Sequence, residues 1–323
     1  MAGNLGADTQ FGIGLESTWD TAVAVTQKAP VLSNGLDRPV TNNPSTILCG
    51  TPARGRARRS SFVPAGSLNF QWTYDLQQVW IEHLCGTFTN ETTPTLDHFD
   101  VDDRVTSSLT LAEIKRSGVV HEYSGIMINT ATLTGNVADG MRWALDCLYG
   151  SRAITGTTNN SAAIEALSAL GDEILYEELT VRVGDLANAL AGSDVVEPTD
   201  IEVVFNWNRK HDFVTSRTPL QPEQNGFRDV TVRLTFPRIE TDQYITWMDA
   251  GTLVQMDMDW TDGTEQKVIR FPVGRVSAAP QTTDGPELQP MTIEFMFENN
   301  VNDANTQTGF TFEPEWQILE EGG

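Results

Sequence analysis

The chain has 323 residues and a formal net charge of -23, from 21 Lys+Arg against 44 Asp+Glu. With 39% hydrophobic and 20% charged residues it is too apolar for an acidic disordered tail, and no stretch approaches the roughly 18 consecutive apolar residues of a spanning helix. The carboxylate surplus also argues against a protein that grips DNA or an anionic membrane, because its long-range field repels both.

In chain order, the first six residues lack the positive segment and apolar run of a secretory signal, which points to synthesis and use in the cytoplasm. Residues 1–50 are rich in Gly, Pro, Asn and Thr with little periodicity, and read as an extended N-terminal arm that orders against a partner. Trp19 in this arm is a candidate for docking into a neighbouring subunit. Arg54, Arg56, Arg58 and Arg59 follow in a basic run, either a contact with an acidic surface of a neighbouring copy or a solvated edge that discourages wrong pairing.

Leu68, Phe70, Trp72 and Tyr74 alternate with polar residues, which predicts a half-buried strand. A helix is expected next: Asp75 as cap, Leu76, Val79, Trp80 and Leu84 as apolar face, and Gly86 as stop. Residues 123–133 and 141–149 predict two more strands around a reversal at Asp139-Gly140.

After a Ser/Thr/Gly/Asn-rich linker and a short helix expected over 161–170, the succession recurs. Val230, Val232, Leu234 and Phe236 alternate, Thr241 or Asp242 caps a helix bearing Tyr244, Ile245 and Met248, and Gly251 stops it. Residues 271–279 and 291–297 repeat the last two strands around Asp284-Gly285. Leu68 to Val230 is a shift of 162 and Gly86 to Gly251 one of 165, which places three extra residues near Pro237. Extended arms precede each strand–helix unit, at 54–62 and 201–213. The order of elements predicts a duplication: an N-terminal arm (1–50), a first domain (51–155), a linker (156–172) and a second domain with a C-terminal arm (173–323). The fold class is mainly β, two tandem antiparallel sandwich domains each with a flanking helix. Trp316, in the C-terminal arm, is the second docking candidate.

The segment Gly12-Ile13-Gly14-Leu15-Glu16-Ser17-Thr18-Trp19-Asp20-Thr21-Ala22-Val23-Ala24, together with Gly66-Ser67-Leu68, Leu109-Thr110-Leu111-Ala112-Glu113 and Tyr123-Ser124-Gly125-Ile126-Met127-Ile128-Asn129, resembles the first half of tail tube proteins of long-tailed, non-contractile bacteriophages. The resemblance implies a β-sandwich whose sheets join those of neighbouring subunits into a ring, and rings that stack into a hollow tube in the virion. It implies as partners further copies of the chain, the tape measure, tip and terminator proteins, and double-stranded DNA passing without specific binding. A duplicated chain would close a pseudo-hexameric ring with three copies; six copies is the alternative. An acidic lumen would repel DNA, which carries about one charge per 1.7 Å of axis.

Catalytic signatures are missing from the sequence. The four histidines, His83, His98, His121 and His211, make no His-Glu-x-x-His pair, and there is no Gly-x-Ser-x-Gly turn or phosphate-binding glycine loop. Asp97, Asp100, Asp102 and Asp103 around His98 read as a solvated loop, and residues 257–263 place Asp262 where a calcium loop needs glycine. Cys49, Cys85 and Cys147 read as reduced thiols. Neither a cofactor nor a membrane is expected. The competing readings are a carbohydrate-binding or carbohydrate-cleaving virion protein, prompted by eight tryptophans, and a tail terminator that caps without stacking. Trp72, Trp80, Trp143, Trp207 and Trp260 fall at strand or helix positions suited to a core.

Overall fold

A computed structural model describes residues 9–37, 39, 42–45, 55–59, 63–75, 77–89, 96–102, 104–115, 118–213, 219–238, 241–280, 290–298 and 316–321. The protein is mainly β, with every strand pair antiparallel.

The first half contains β1 (Phe11–Glu16), β2 (Gln27–Lys28), β3 (Val31–Asn34), β4 (Asn42–Ser45), β5 (Gly55–Arg59), β6 (Ala65–Gln71), α1 (Gln78–Cys85), β7 (Gly86–Thr89), β8 (Leu96–Val101), β9 (Ser108–Ile114), β10 (Val120–Asn136), β11 (Arg142–Leu148) and β12 (Ser151–Ala153). After α2 (Ser161–Glu165) come β13 (Leu179–Asp185), β14 (Val195–Val196), β15 (Asp200–Asn206), β16 (Arg209–Lys210), β17 (Glu223–Gln224), β18 (Asp229–Phe236), α3 (Gln243–Ala250), β19 (Leu253–Thr261), β20 (Gln266–Ala278), β21 (Met291–Phe297) and β22 (Gln317–Glu321).

Pairing runs β3-β6-β11-β10-β9-β1-β2 in the first half. In the second it runs β15-β18-β21-β20-β19-β13-β14. These are the same places in the same order. The long strands β10 and β20 each serve two layers, pairing with β9 or β19 at one end and with β11 or β21 at the other. Each strand carries a bulge within the second of these pairings, between Ile128 and Thr130 and between Val276 and Ala278.

Register corrects the expected alignment of the halves. Phe70 lies opposite Trp143 and Phe236 opposite Met291, so with the two bulges superposed β6 matches β18 at a shift of 166. The helix stop keeps its shift of 165, and no insertion near Pro237 is needed. Period-two alternation alone cannot fix register, because a slip of four residues preserves which face is buried.

Other expectations change as well. Residues 11–37 are no arm: β1 pairs with β9, Ile13 is 2% exposed, and β3 pairs with β6. The strand β12, just before the linker, pairs with β10, and the helix expected over 161–170 stops at Glu165, with Leu170 exposed. Gln77, not Asp75, precedes α1, and the Val79 N–H is satisfied by Gln27 Oε1 at 3.1 Å. Asp97 and Asp100 lie on β8, paired with β22 across the chain; Asp102 follows the strand and Asp103 lies outside the described residues. Asp284-Gly285 and Cys49 also lie outside them, while Cys85 and Cys147 are free and buried.

The core is continuous between the halves. Trp72 meets Trp143 and Trp260 edge-on at 5.6 and 4.7 Å, and Phe205 meets Trp143 at 5.8 Å and Trp316 at 4.9 Å. Trp72, Trp80, Trp143, Trp207 and Trp260 are all buried, as their spacing implies.

Candidate assembly surfaces

The halves meet by strand pairing. The distal part of β10 lies beside β15 from Thr130↔Asn206 to Asn136↔Asp200, so β3-β6-β11-β10-β15-β18-β21-β20 is one eight-stranded sheet. Among the described residues, β3 has no partner on its outer edge, and β20 beyond Arg275 has none on the side of β19. These ends hold the positions that β15 and β10 fill at the internal junction. Unpaired N–H and C=O groups at such edges are templates for another chain.

One face of this sheet is core; the other is polar. Thr130, Thr132, Thr134, Thr231, Thr235 and Thr292 line the polar face. It carries five carboxylates (Asp146, Asp200, Glu202, Asp229, Glu294) against three arginines (Arg142, Arg233, Arg275), an excess of two. Most of the surplus of 23 negative charges lies elsewhere. Arg233 bridges Glu202 and Glu294, each at 2.8 Å, and this bonding holds the Glu294 carboxyl below its ordinary range. A shallow depression of about 300 Å³ crosses the junction, lined by Thr134, Asn136, Arg142, Asp200 and Glu202 beside Arg233. It offers paired charges and hydroxyls.

The other layer buries carboxylates where the N-terminal segment docks. Glu16 accepts from Ser108 and Thr110 Oγ at 2.6 Å and from the Gly125 N–H at 3.0 Å, yet burial still raises its pKa. Glu122 receives the N–H groups of Thr157 and Thr158, and Asn159 ties the linker to Val23 and Val25. These bonds account for why a Gly- and Thr-rich segment orders without an apolar pattern.

Trp19 is half-buried within its own chain, its indole N–H donating to Gly125 O at 3.3 Å. Trp316 is 1% exposed, held against Phe205 and Trp207. Its ring is core, not a free docking group, and it anchors β22 between β20 and β8. Arg56, Arg58 and Arg59 lie on β5, which pairs with β4 as a separate ribbon; Arg54 lies outside the described residues. The second half has a ribbon in the corresponding place, β16–β17. That arm folds over the first half: His211 Nε2 is 3.2 Å from Pro64 O, Gln221 donates to Thr106 O at 3.0 Å and Arg228 to Asp102 O at 2.5 Å. The sequence shows the first arm as basic and both segments as extended, but their equivalence needs the strand order.

No group of three or more metal-ligating side chains occurs among the described residues, and no helix there is long and apolar enough to cross a membrane.

The fold is an antiparallel β structure in which β3 and the end of β20 lack a partner on one side among the described residues. The family model for phage tail tube proteins matches residues 6–298, nearly the whole chain, and the chain belongs to that family. No curated protein matches the sequence.

Proposed function

We propose that the chain is a structural subunit that closes into rings and stacks them into the tail tube, with no catalytic role. The observation that carries this is the eight-stranded sheet: its halves are already joined edge to edge, and its two ends offer the same positions to further copies. Equal strand order supports reading the halves as tandem domains, each with its helix, that occupy adjacent positions in the ring. Three copies would supply 24 strands from eight each. At about 4.8 Å between strands and a tilt of about 40°, such a barrel is roughly 50 Å across between backbones, whereas six copies would give roughly 100 Å. Three copies leave an aqueous channel wide enough for a double helix.

In this reading the polar face lines the channel. Hydroxyls and internally paired charges leave passing phosphates few cations to hold, and the excess of two carboxylates per chain makes the wall weakly acidic. The arginines of β5 contact acidic surface on a neighbouring copy, which offsets repulsion between strongly negative subunits. Such assembly would take place in the host cytoplasm, with tape measure, tip and terminator proteins as further partners.

Electron microscopy of the purified protein tests the proposal. Stacked rings are expected. Isolated rings that never stack would favour a terminator, and monodisperse monomers that bind glycans would favour a carbohydrate-directed virion protein.

A further inference from the structure

The two helices occupy corresponding places but differ in cover. In α1, Trp80, Ile81, His83, Leu84 and Cys85 are buried. The β7–β8 ribbon packs on the helix, and the second half closes over it: burial, and then the nearby Arg209 guanidinium, hold the His83 pKa well below its ordinary value. In α3 only Tyr244 is buried, and Ile245, Trp247 and Met248 are half-buried. The β7–β8 ribbon has no counterpart here; Gly251 and Thr252 lead straight into β19. A groove of about 150 Å³ remains beside the helix, with Tyr244 and Trp247 on one wall and Val183, Asp185, Asp194 and Val196 on the other. Exposed Asp249 adds a further charge on the helix.

The first-half arm stands in the opposite situation. Among the described residues β4 and β5 pair only with each other, whereas the corresponding second-half arm lies across the first half. A half-covered helix and an arm that, among the described residues, has no strand partner beyond its own ribbon remain, the groove beside the helix acidic and the arm bearing Arg56, Arg58 and Arg59. Arginine on tryptophan already occurs within the second-half arm, where Arg209 lies 4.9 Å and Arg228 5.3 Å from the Trp207 ring centre.

We infer that the groove between α3 and residues 185–196 is the seat of a second copy's β4–β5 arm, an arginine entering between Trp247 and the carboxylates of Asp185 and Asp194. The inference rests on the assembly reading and names the surfaces that meet. The internal contact, second-half arm on first half, then repeats between copies as first-half arm on second half, and the same geometry propagates around the ring.

A photo-crosslinking residue in place of Gln243, which is exposed and borders the groove, tests this in full-length protein. Irradiated assemblies should give an inter-copy adduct that maps to residues 42–59. Charge reversal of the arm (R56E, R58E, R59E), with the melting temperature checked, should reduce that adduct at least tenfold. Rings that form while the adduct maps within the same chain, maps to another segment of a neighbour, or survives the charge reversal would overturn the inference and leave the assembly reading standing. Failure of the unmodified protein to form any ring would overturn both.

Discussion

The two halves share a strand order and differ in what surrounds their helices. In the first half α1 is sealed by a ribbon inserted after it and by groups from the second half. In the second, α3 keeps one side open. Pairing order is set by the backbone and tolerates a change of neighbours, whereas burial depends on which segments are inserted around a conserved frame. One half is therefore finished inside the chain, and the other keeps a partly exposed helix.

The largest effect should come from deleting residues 1–25. This removes β1 from between β9 and β2, together with Glu16 and its hydrogen bonds. Circular dichroism and limited proteolysis should show the first half unfolded. A truncated chain with full native spectra would return this segment to the status of an arm.

Next comes Trp143→Ala. The ring is fully buried against Trp72, Trp80 and Phe205, and about 3–5 kcal/mol should be lost in denaturant melts. Because the ring joins both halves, fluorescence and circular dichroism should still report one transition; two separated transitions would show that the halves are independent.

The helix stops offer a paired comparison. At Gly251, with φ of 64°, an added Cβ meets nothing closer than Arg275 Nη1 at 3.5 Å, so Gly251→Ala should cost about 1 kcal/mol of conformational strain. At Gly86, with φ of 111°, the Cβ would lie 2.7 Å from Asp102 Cβ, and the same change should cost more. Equal losses in thermal melts would contradict the difference in cover.

A further effect is graded by pH and vanishes above about pH 6.5. His83 accepts the Ile128 N–H on Nε2 at 3.2 Å, and burial holds its pKa well below the ordinary value. The unfolded chain therefore takes up a proton below about pH 6.5 that the folded chain refuses, and stability should fall by up to about 1.4 kcal/mol per pH unit from this group. His83→Gln should remove that part of the slope between about pH 5 and 6.5. An unchanged slope would mean that the imidazole is not the group responsible.

Much of this was readable in the sequence, and for physical reasons. Leu68, Phe70 and Trp72, and Val230, Val232 and Leu234, alternate because one side of each strand is core. Gly86 and Gly251 mark helix ends because both take positive φ. What stayed hidden depends on residues far apart. β1 carries two glycines and a buried glutamate satisfied by Ser108, Thr110 and Gly125, so its hydrophobic pattern is weak. The cap of α1 comes from Gln27. Trp316 looks like an arm residue until β22 is seen between β20 and β8. The arginine run was visible as a charge pattern, but only the two ribbons in corresponding places suggest what it meets.

Cryo-electron microscopy of the assembled tube, viewed down its axis, tests the central claim most directly. Three chains per ring are expected, with a 24-stranded inner barrel roughly 50 Å across between backbones and β3 of each chain beside the end of β20 of the next. Six chains per ring, or an inner wall not built from this sheet, would contradict it.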